Sequence, residues 1–344
     1  MKKVLFILYL LPNTAFPQQA KKGSDDPRLM DSLVFHITSE DKASTELRLP
    51  FGSIEVIDAR FDTSKIGFIF NKSHHAHDFK DFKKMLLSGG VSQAIQEYYN
   101  HYYQDCFRPT ANRLLIVLKR LWISNQPVSV RREKRYDIER NSLQDIYIKF
   151  EYYLQKGAGY HPMLRTDTVY QLLEENINAE TDRLKKDPLA FLKYTLKSLI
   201  EKNDFNKLSA DLVGKKIVTR SGIDSFNAKR YQLPILTAYE YKRGIYLSIR
   251  EFIDNNPSVK QFKVTENKEL IGEEINTEKV TFWAYADNSG IHMSLKEKLN
   301  VYRVGNTFEF FANDMIYVSR TTGGKPMKLV YYPRQIDMET GLFY

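Results

Sequence analysis

Ile146-Tyr147-Ile148-Lys149-Phe150-Glu151-Tyr152-Tyr153-Leu154 decides how the chain is read. Ile146, Ile148, Phe150, Tyr152 and Leu154 alternate with Tyr147, Lys149, Glu151 and Tyr153. Side chains of an extended strand point to opposite faces in turn, so this period of two predicts an antiparallel strand with one apolar face and one wet face. Gly157-Ala158-Gly159 then forms a turn, and residues 163–170 are the next strand candidate. On the other side, residues 113–123 read as a long strand, nearly all apolar in its first half and ended by Asn125-Gln126-Pro127.

Further upstream, Val91, Ala94, Ile95, Tyr98, Tyr99 and Tyr102 recur at helical spacing and predict one amphipathic helix after the Gly89-Gly90 break. Short strands are expected near residues 33–37 and 66–70. Residues 54–61 carry apolar groups on both faces, as a central strand does. Ser73 to Lys84 is polar and reads as the approach to a helix. Asp187-Pro188 signals a helix start, with Asp at the cap and Pro at the first position. Leu189, Leu192, Leu196, Leu199 and Ile200 line the buried face of that helix.

After about residue 206 short apolar runs are separated by turn residues. Strands are expected at 216–220, 280–286, 291–293, 299–304, 307–311, 315–319 and 327–332, with Asn288-Ser289-Gly290 as a hairpin tip and one short helix at 248–253. The expected fold class is therefore α+β: a mostly antiparallel N-terminal sheet with helices on one face, followed by a β-rich second domain. The organisation read from the chain is a signal peptide over 1–20, a flexible lead with a short strand over 21–50, an α+β domain over 51–205 and a β-rich domain over 206–344.

The chain has 344 residues, 42% of them apolar and 27% charged. That balance excludes a polytopic membrane protein, a collagen-like chain and a wholly disordered one. Its 22 Tyr and 21 Phe suit sheets with half-buried aromatic positions. The single cysteine, Cys106, excludes an internal disulfide framework and a cysteine-rich zinc site. Lys2-Lys3 followed by the apolar run Val4 to Leu11 and the break at Pro12-Asn13 matches a secretory signal, too short to span a bilayer. Cleavage is expected between Ala15 and Ala20, and no cysteine follows the run to carry a lipid. The expected location is exported, periplasmic or associated with an outer membrane, with no transmembrane span in the mature chain.

Gly244-Ile245-Tyr246-Leu247-Ser248-Ile249-Arg250-Glu251-Phe252-Ile253-Asp254-Asn255-Asn256-Pro257, followed by Thr281-Phe282-Trp283-Ala284-Tyr285-Ala286-Asp287, resembles exported, uncharacterised envelope proteins of Gram-negative bacteria. Through Asp58-Ala59-Arg60 and Ile66-Gly67 the N-terminal half is faintly similar to small α/β domains of periplasmic accessory proteins. These resemblances imply an envelope setting and bring no activity with them. The missing lipid-attachment cysteine departs from the lipoprotein members.

Two clusters are candidate sites. His74, His75, His77 and Asp78 place three imidazoles and a carboxylate within five residues, a donor set suited to a divalent transition metal, although a polar loop with solvated histidines is the favoured reading. Lys119, Arg120, Arg131, Arg132, Lys134 and Arg135 form a basic patch that would attract phosphate on a lipid headgroup, or else a solvated hairpin. Asp58 and Asp62 flank Arg60, which reads as a salt-bridge partner rather than part of a glycosidase pair. The sequence carries no nucleophile elbow, zincin pair or dinucleotide fingerprint, so no cofactor and no catalytic residue is assigned. The leading expectation is a non-enzymatic envelope protein that binds or scaffolds, its partner another envelope protein or an anionic envelope surface and not a nucleic acid. The alternatives are a hydrolase of envelope or external polymers and a periplasmic metal-handling protein.

Overall fold

A computed structural model describes residues 26–38, 41–70, 82–110, 112–125, 142–173, 187–212, 214, 216–264, 270–272, 282, 284–293, 299–317 and 327–344. The strand quoted above becomes β6 (Ser142–Lys156), flanked by β5 (Arg113–Asn125) and β7 (Gly159–Leu173) in two long antiparallel ladders. With β1 (Ser32–Phe35), β2 (Ser53–Asp58), β3 (Gly67–Phe70) and β4 (Phe82–Leu87) they make a seven-stranded sheet. The order is β1-β4-β3-β5-β6-β7, and β2 pairs with β5 as well. This sheet is mixed: β1–β4, β2–β5 and β3–β5 run parallel. Gly67 is where β3 meets β5, at φ +143°, and a Cβ there would lie 2.1 Å from the Ile123 carbonyl oxygen.

One face of the sheet carries α1 (Val91–Tyr102) and α2 (Ala190–Glu201). Every apolar position read from the helical spacing of α1 is buried, as are the five on α2 and its lead-in turn. They pack on Leu114, Ile116, Leu118, Ile146, Ile148, Phe150, Tyr152 and Leu154. Tyrosines on and just after α1 also tie the helices together, since the Tyr99 hydroxyl donates to the Leu196 carbonyl at 3.1 Å and Tyr103 to the Lys197 carbonyl at 3.3 Å. Asp187 does not cap α2 directly. Its carboxylate accepts from the Leu189 N–H one turn ahead of the helix.

β2 was expected to be central, but it ends at Asp58 and pairs with one strand only. Its other edge is satisfied by α1: Asn100 accepts from the Ile54 N–H and donates to the Ile54 carbonyl, both at 2.8 Å, and Gln96 accepts from Val56 N–H at 3.0 Å. Side-chain amides thus stand in for a missing strand.

The second half opens on three helices that the sequence reading did not assign: α3 (Phe205–Ala210), α4 (Arg220–Arg230) and α5 (Pro234–Thr237). The segment read as a strand at 216–220 makes a single bridge from Val218 to Tyr160. Thr219 then caps α4 by accepting from the Gly222 N–H, a local side-chain bond that competes with strand pairing. Phe82–Leu87 is a strand, not helix. Downstream lie β8 (Gly244–Tyr246), α6 (Ile249–Ile253), β9 (Phe262–Val264), β10 (Leu270–Gly272), β11 (Ala284–Asp287), β12 (Gly290–Met293), β13 (Leu299–Val304), β14 (Thr307–Tyr317) and β15 (Met327–Gln335). β14 merges two strands expected separately. β8 and β11–β15 form an antiparallel six-stranded sheet, β15-β14-β13-β12-β11-β8, and β9–β10 a small ladder. Phe252, Phe282, Phe308 and Phe310 fill its core with Ile235 and Leu236. α+β with a β-rich second part is the observed class.

Asn100→Ala removes both bonds to Ile54 and leaves a part-buried strand edge unpaired. It is expected to cost about 1–3 kcal/mol, read as a lower urea midpoint, whereas Gln93→Ala on the exposed side of α1 leaves the midpoint within about 0.5 kcal/mol.

Candidate functional site

The second face of the seven-stranded sheet was expected to be wet. It is instead a seam against α4, β14, β15 and the C-terminal residues. One end is apolar, where Ile223 of α4 covers Ala59, Leu115 and Val117. The other end is aromatic, with Phe68, Phe82 and Trp122 packed with Phe311 and Tyr344. Between them lies a charged stretch. Alternation along β6 reported the polarity of this face correctly, but Lys149 is 3% exposed. Carboxylates brought from the far end of the chain keep it out of water.

A β-bulge at Leu118/Arg120 builds this stretch. In regular pairing neighbouring residues face opposite ways; the extra residue puts Lys119 and Arg120 on the same face. Lys119 then reaches Glu151 at 2.6 Å. Arg120 bonds Asp167 at 2.9 Å and also Asp337. Lys149 pairs with Asp167 at 3.3 Å and with Glu339, and Glu339 is held at 2.6 Å by Arg230 from α4. Arg230, Glu339, Lys149, Asp167, Arg120 and Asp337 therefore form a chain of alternating charge across three parts of the sequence. Arg230 also donates to the Ala59 carbonyl at 2.6 Å, and Arg120 lies over the Tyr344 ring at 5.6 Å.

Burial disfavours the charge on Glu339, but the bonds from Lys149 and Arg230 outweigh it and hold the carboxyl down at about 2. Burial likewise works against the Arg120 cation, but Asp337, Tyr344, Asp167 and Glu339 together outweigh it, so its pKa is raised. Lys119 is the exception: burial lowers its pKa despite Glu151.

Beside this chain lies a second charged centre. Arg60 grips Asp58 through two bonds of 2.8 Å and donates to the Lys65 carbonyl at 2.5 Å, as expected of a salt-bridge partner. Asp62 does not share Arg60. It takes the Lys65 ammonium at 2.6 Å, and Glu309 of β14 takes the same ammonium at 2.7 Å.

The cleft joining the two centres is lined by Arg60, Asp62, Lys119, Arg120, Asp337 and Glu339. It encloses about 310 Å³ including its mouth, with interior room for about one water molecule. Each of its cations already has a carboxylate partner. The arrangement does what paired charges between packed elements do: it sets which residues meet. Lys119 and Arg120 of the basic patch thus face the seam. Arg131, Arg132, Lys134 and Arg135 lie outside the described residues, as do His74, His75, His77 and Asp78. Among the described residues no group of three or more His, Cys, Asp or Glu is placed to hold a metal ion.

One constellation went unread in the sequence. At the tip of the β11–β12 hairpin, Ser289 Oγ and Asp287 Oδ1 both lie 3.0 Å from His292 Nε2, and Ser289 donates to Asp287 at 2.5 Å. A relay needs the serine on one ring nitrogen and the acid on the other. Here both use Nε2, so the trio is a turn lock and not a nucleophile. Only the hairpin tip was legible, read as Asn288-Ser289-Gly290, of which Gly290 is already in β12, paired with Asp287.

Comparison with family models, curated proteins and solved structures found no match. No helix among the described residues is long and apolar enough to cross a membrane.

Arg120→Met strands Asp337, whose side chain is 4% exposed, and is expected to cost about 3–5 kcal/mol. Arg165→Met removes a rim partner of Glu151 that is 56% exposed and should cost under about 1 kcal/mol; urea melts compare the two. Glu339 has a depressed folded pKa, so its contribution is full above 4.5 and is lost as pH falls toward about 2. With a quarter of the side chain in solvent that contribution is about 1–2 kcal/mol. Glu339→Gln should flatten the acid limb of the stability profile over that interval.

Proposed function

We propose that this protein is an exported, non-enzymatic component of a bacterial cell envelope that binds or scaffolds another envelope protein through its sheet edges. The observation that carries the reading is the contrast between seam and rim. Seam charges are spent on one another, while β7, a 15-residue strand, ends the sheet order. Among the described residues, β7 pairs outward only at Tyr160. Val169 on this strand is 44% exposed, and Val34 on the opposite end strand β1 is 58% exposed. An end strand offers a row of backbone donors and acceptors, and an extended segment of a partner adds to it as a further strand. Export rests on the basic and apolar leader pattern of residues 2–11 and on the resemblance of residues 244–257 and 281–287 to envelope proteins.

Fractionation of cells producing a C-terminally tagged chain tests the setting. A shortened form in the periplasmic or outer-membrane fraction is expected; full-length chain confined to the cytosol overturns it. Photocrosslinking residues at Val34 and Val169 test the mode. One discrete adduct from an edge position and none from Lys207 on α3 supports strand addition, and silence at both edges rejects it.

A further inference from the structure

The Lys65 centre places two carboxylates on one ammonium where water does not reach. Side-chain exposures are 1% for Lys65, 3% for Asp62 and zero for Glu309. The two acids are supported unequally. Asp62 accepts from the Ser64 N–H at 2.8 Å and the Ser64 hydroxyl at 2.6 Å through one oxygen, and from Lys65 and Gln335 through the other. Glu309 accepts from Lys65 and Gln335 through Oε1 alone, and Oε2 has no hydrogen-bond partner among the described residues.

With both acids ionised the trio would bury a net negative charge, and one proton makes it neutral. That proton goes to the carboxylate with fewer donors. We propose that Glu309 is the protonated member of a buried clasp, and that loss of its proton loosens the junction between residues 58–66 and the paired strands β14 and β15.

The surroundings agree. Lys65 and Asp62 face Glu309 from the loop after β2, and neutral Gln335 stands opposite it on β15. Tyr302 stands opposite on β13, with Arg28 over its ring at 5.1 Å. Lys84 of β4 also acts on Glu309, Asp62 and Lys65, and its own charge is disfavoured first by burial and then by Lys65. Arg60, Arg120 and Asp337 line the adjoining cleft and are engaged with other partners. Phe68 and Trp122 close the remaining side, their ring centres 5.5 and 5.9 Å from the Lys65 ammonium. Burial pushes the Glu309 carboxyl up and Lys65 only partly offsets it. Asp62 is pulled below the ordinary range because Lys65 and Ser64 outweigh its burial.

The sign is opposite to that of Glu339. A carboxyl with a raised folded pKa contributes stability below its ordinary value, and that contribution is lost as pH rises through the raised one. The clasp tightens in acid, where the Glu339 pairing weakens. The nearest backbone tie across the junction is Asn306 N–H to the Phe61 carbonyl at 3.0 Å.

The test uses the purified chain at a series of pH values from about 4 to about 9. Amide exchange at Asn306, corrected for the intrinsic pH dependence, and urea midpoints are read for wild type and Glu309→Gln, which imitates the neutral acid. In wild type, Asn306 protection is expected to fall roughly tenfold for each unit by which the Glu309 pKa exceeds the ordinary value. Glu309→Gln should be flat there and more stable than wild type at the alkaline end. Parallel profiles, or a variant weaker by the same factor at every pH, would show that Glu309 serves as an ionised partner and overturn the clasp. Should the variant not fold, carboxyl ¹³C shifts of labelled wild type decide. A buried glutamate still protonated above pH ~5 supports the proposal, and full ionisation of all glutamates there rejects it.

Discussion

Arg120 is the residue on which the two halves of the molecule meet. It projects from the long central strand β5, made to share a face with Lys119 by one inserted residue, and closes on an aspartate 217 residues away. A cation so placed is unfavourable by itself, since desolvation of an unpaired guanidinium costs several kcal/mol. The sheet therefore tolerates its polar face only if Asp337 and Asp167 are brought to it. Once they are, Lys149 lies beside Asp167 and recruits Glu339, and Glu339 recruits Arg230 from α4. Geometry propagates along the chain of charges because each inner member, Glu339, Lys149, Asp167 and Arg120, has one sign and two neighbours of the other.

Such a seam does not add much net stability. Buried pairs roughly break even against apolar packing of equal volume, while a broken pair is strongly penalised. The apolar contributions sit at either end, around Ile223 and around Trp122 and Tyr344. The charges between them act on specificity. A shift of one residue along β6 would turn Lys149 into the helix-facing core and Ile148 into the seam, which leaves two separate faults rather than one. Register is thereby defended from both faces of the same strand.

Much of this was legible locally. The alternation in residues 146–154, the helical spacing from Val91 to Tyr102 and the α2 stripe each followed from a single element, and each held. What failed has two causes, partners distant in sequence and one short-range cap. The wet face of β6 was inferred from Lys149 and Glu151 being charged, yet exposure depends on Glu339, which lies 190 residues beyond Lys149. The strand expected at 216–220 was an apolar run whose fate was settled by one hydroxyl, Thr219, bonding a nearby amide. The free edge of β2 was satisfied by two amides on α1, and nothing in the β2 sequence announces Asn100 or Gln96 as its partners. Local pattern gives polarity; partners at long range convert polarity into burial.

The same reasoning applies to the candidate sites. A basic patch was read from Lys119 and Arg120 because consecutive cations suggest a surface. In a strand, consecutive residues normally serve two faces, so adjacent cations imply either that one of them enters the core or that the strand bulges. Only the second option lets both be paired, and Glu151, placed across the ladder from Val117, is where the paired reading was available. An unexplained pair of like charges inside an otherwise apolar strand is thus better taken as a marker of an internal interface than as a docking surface.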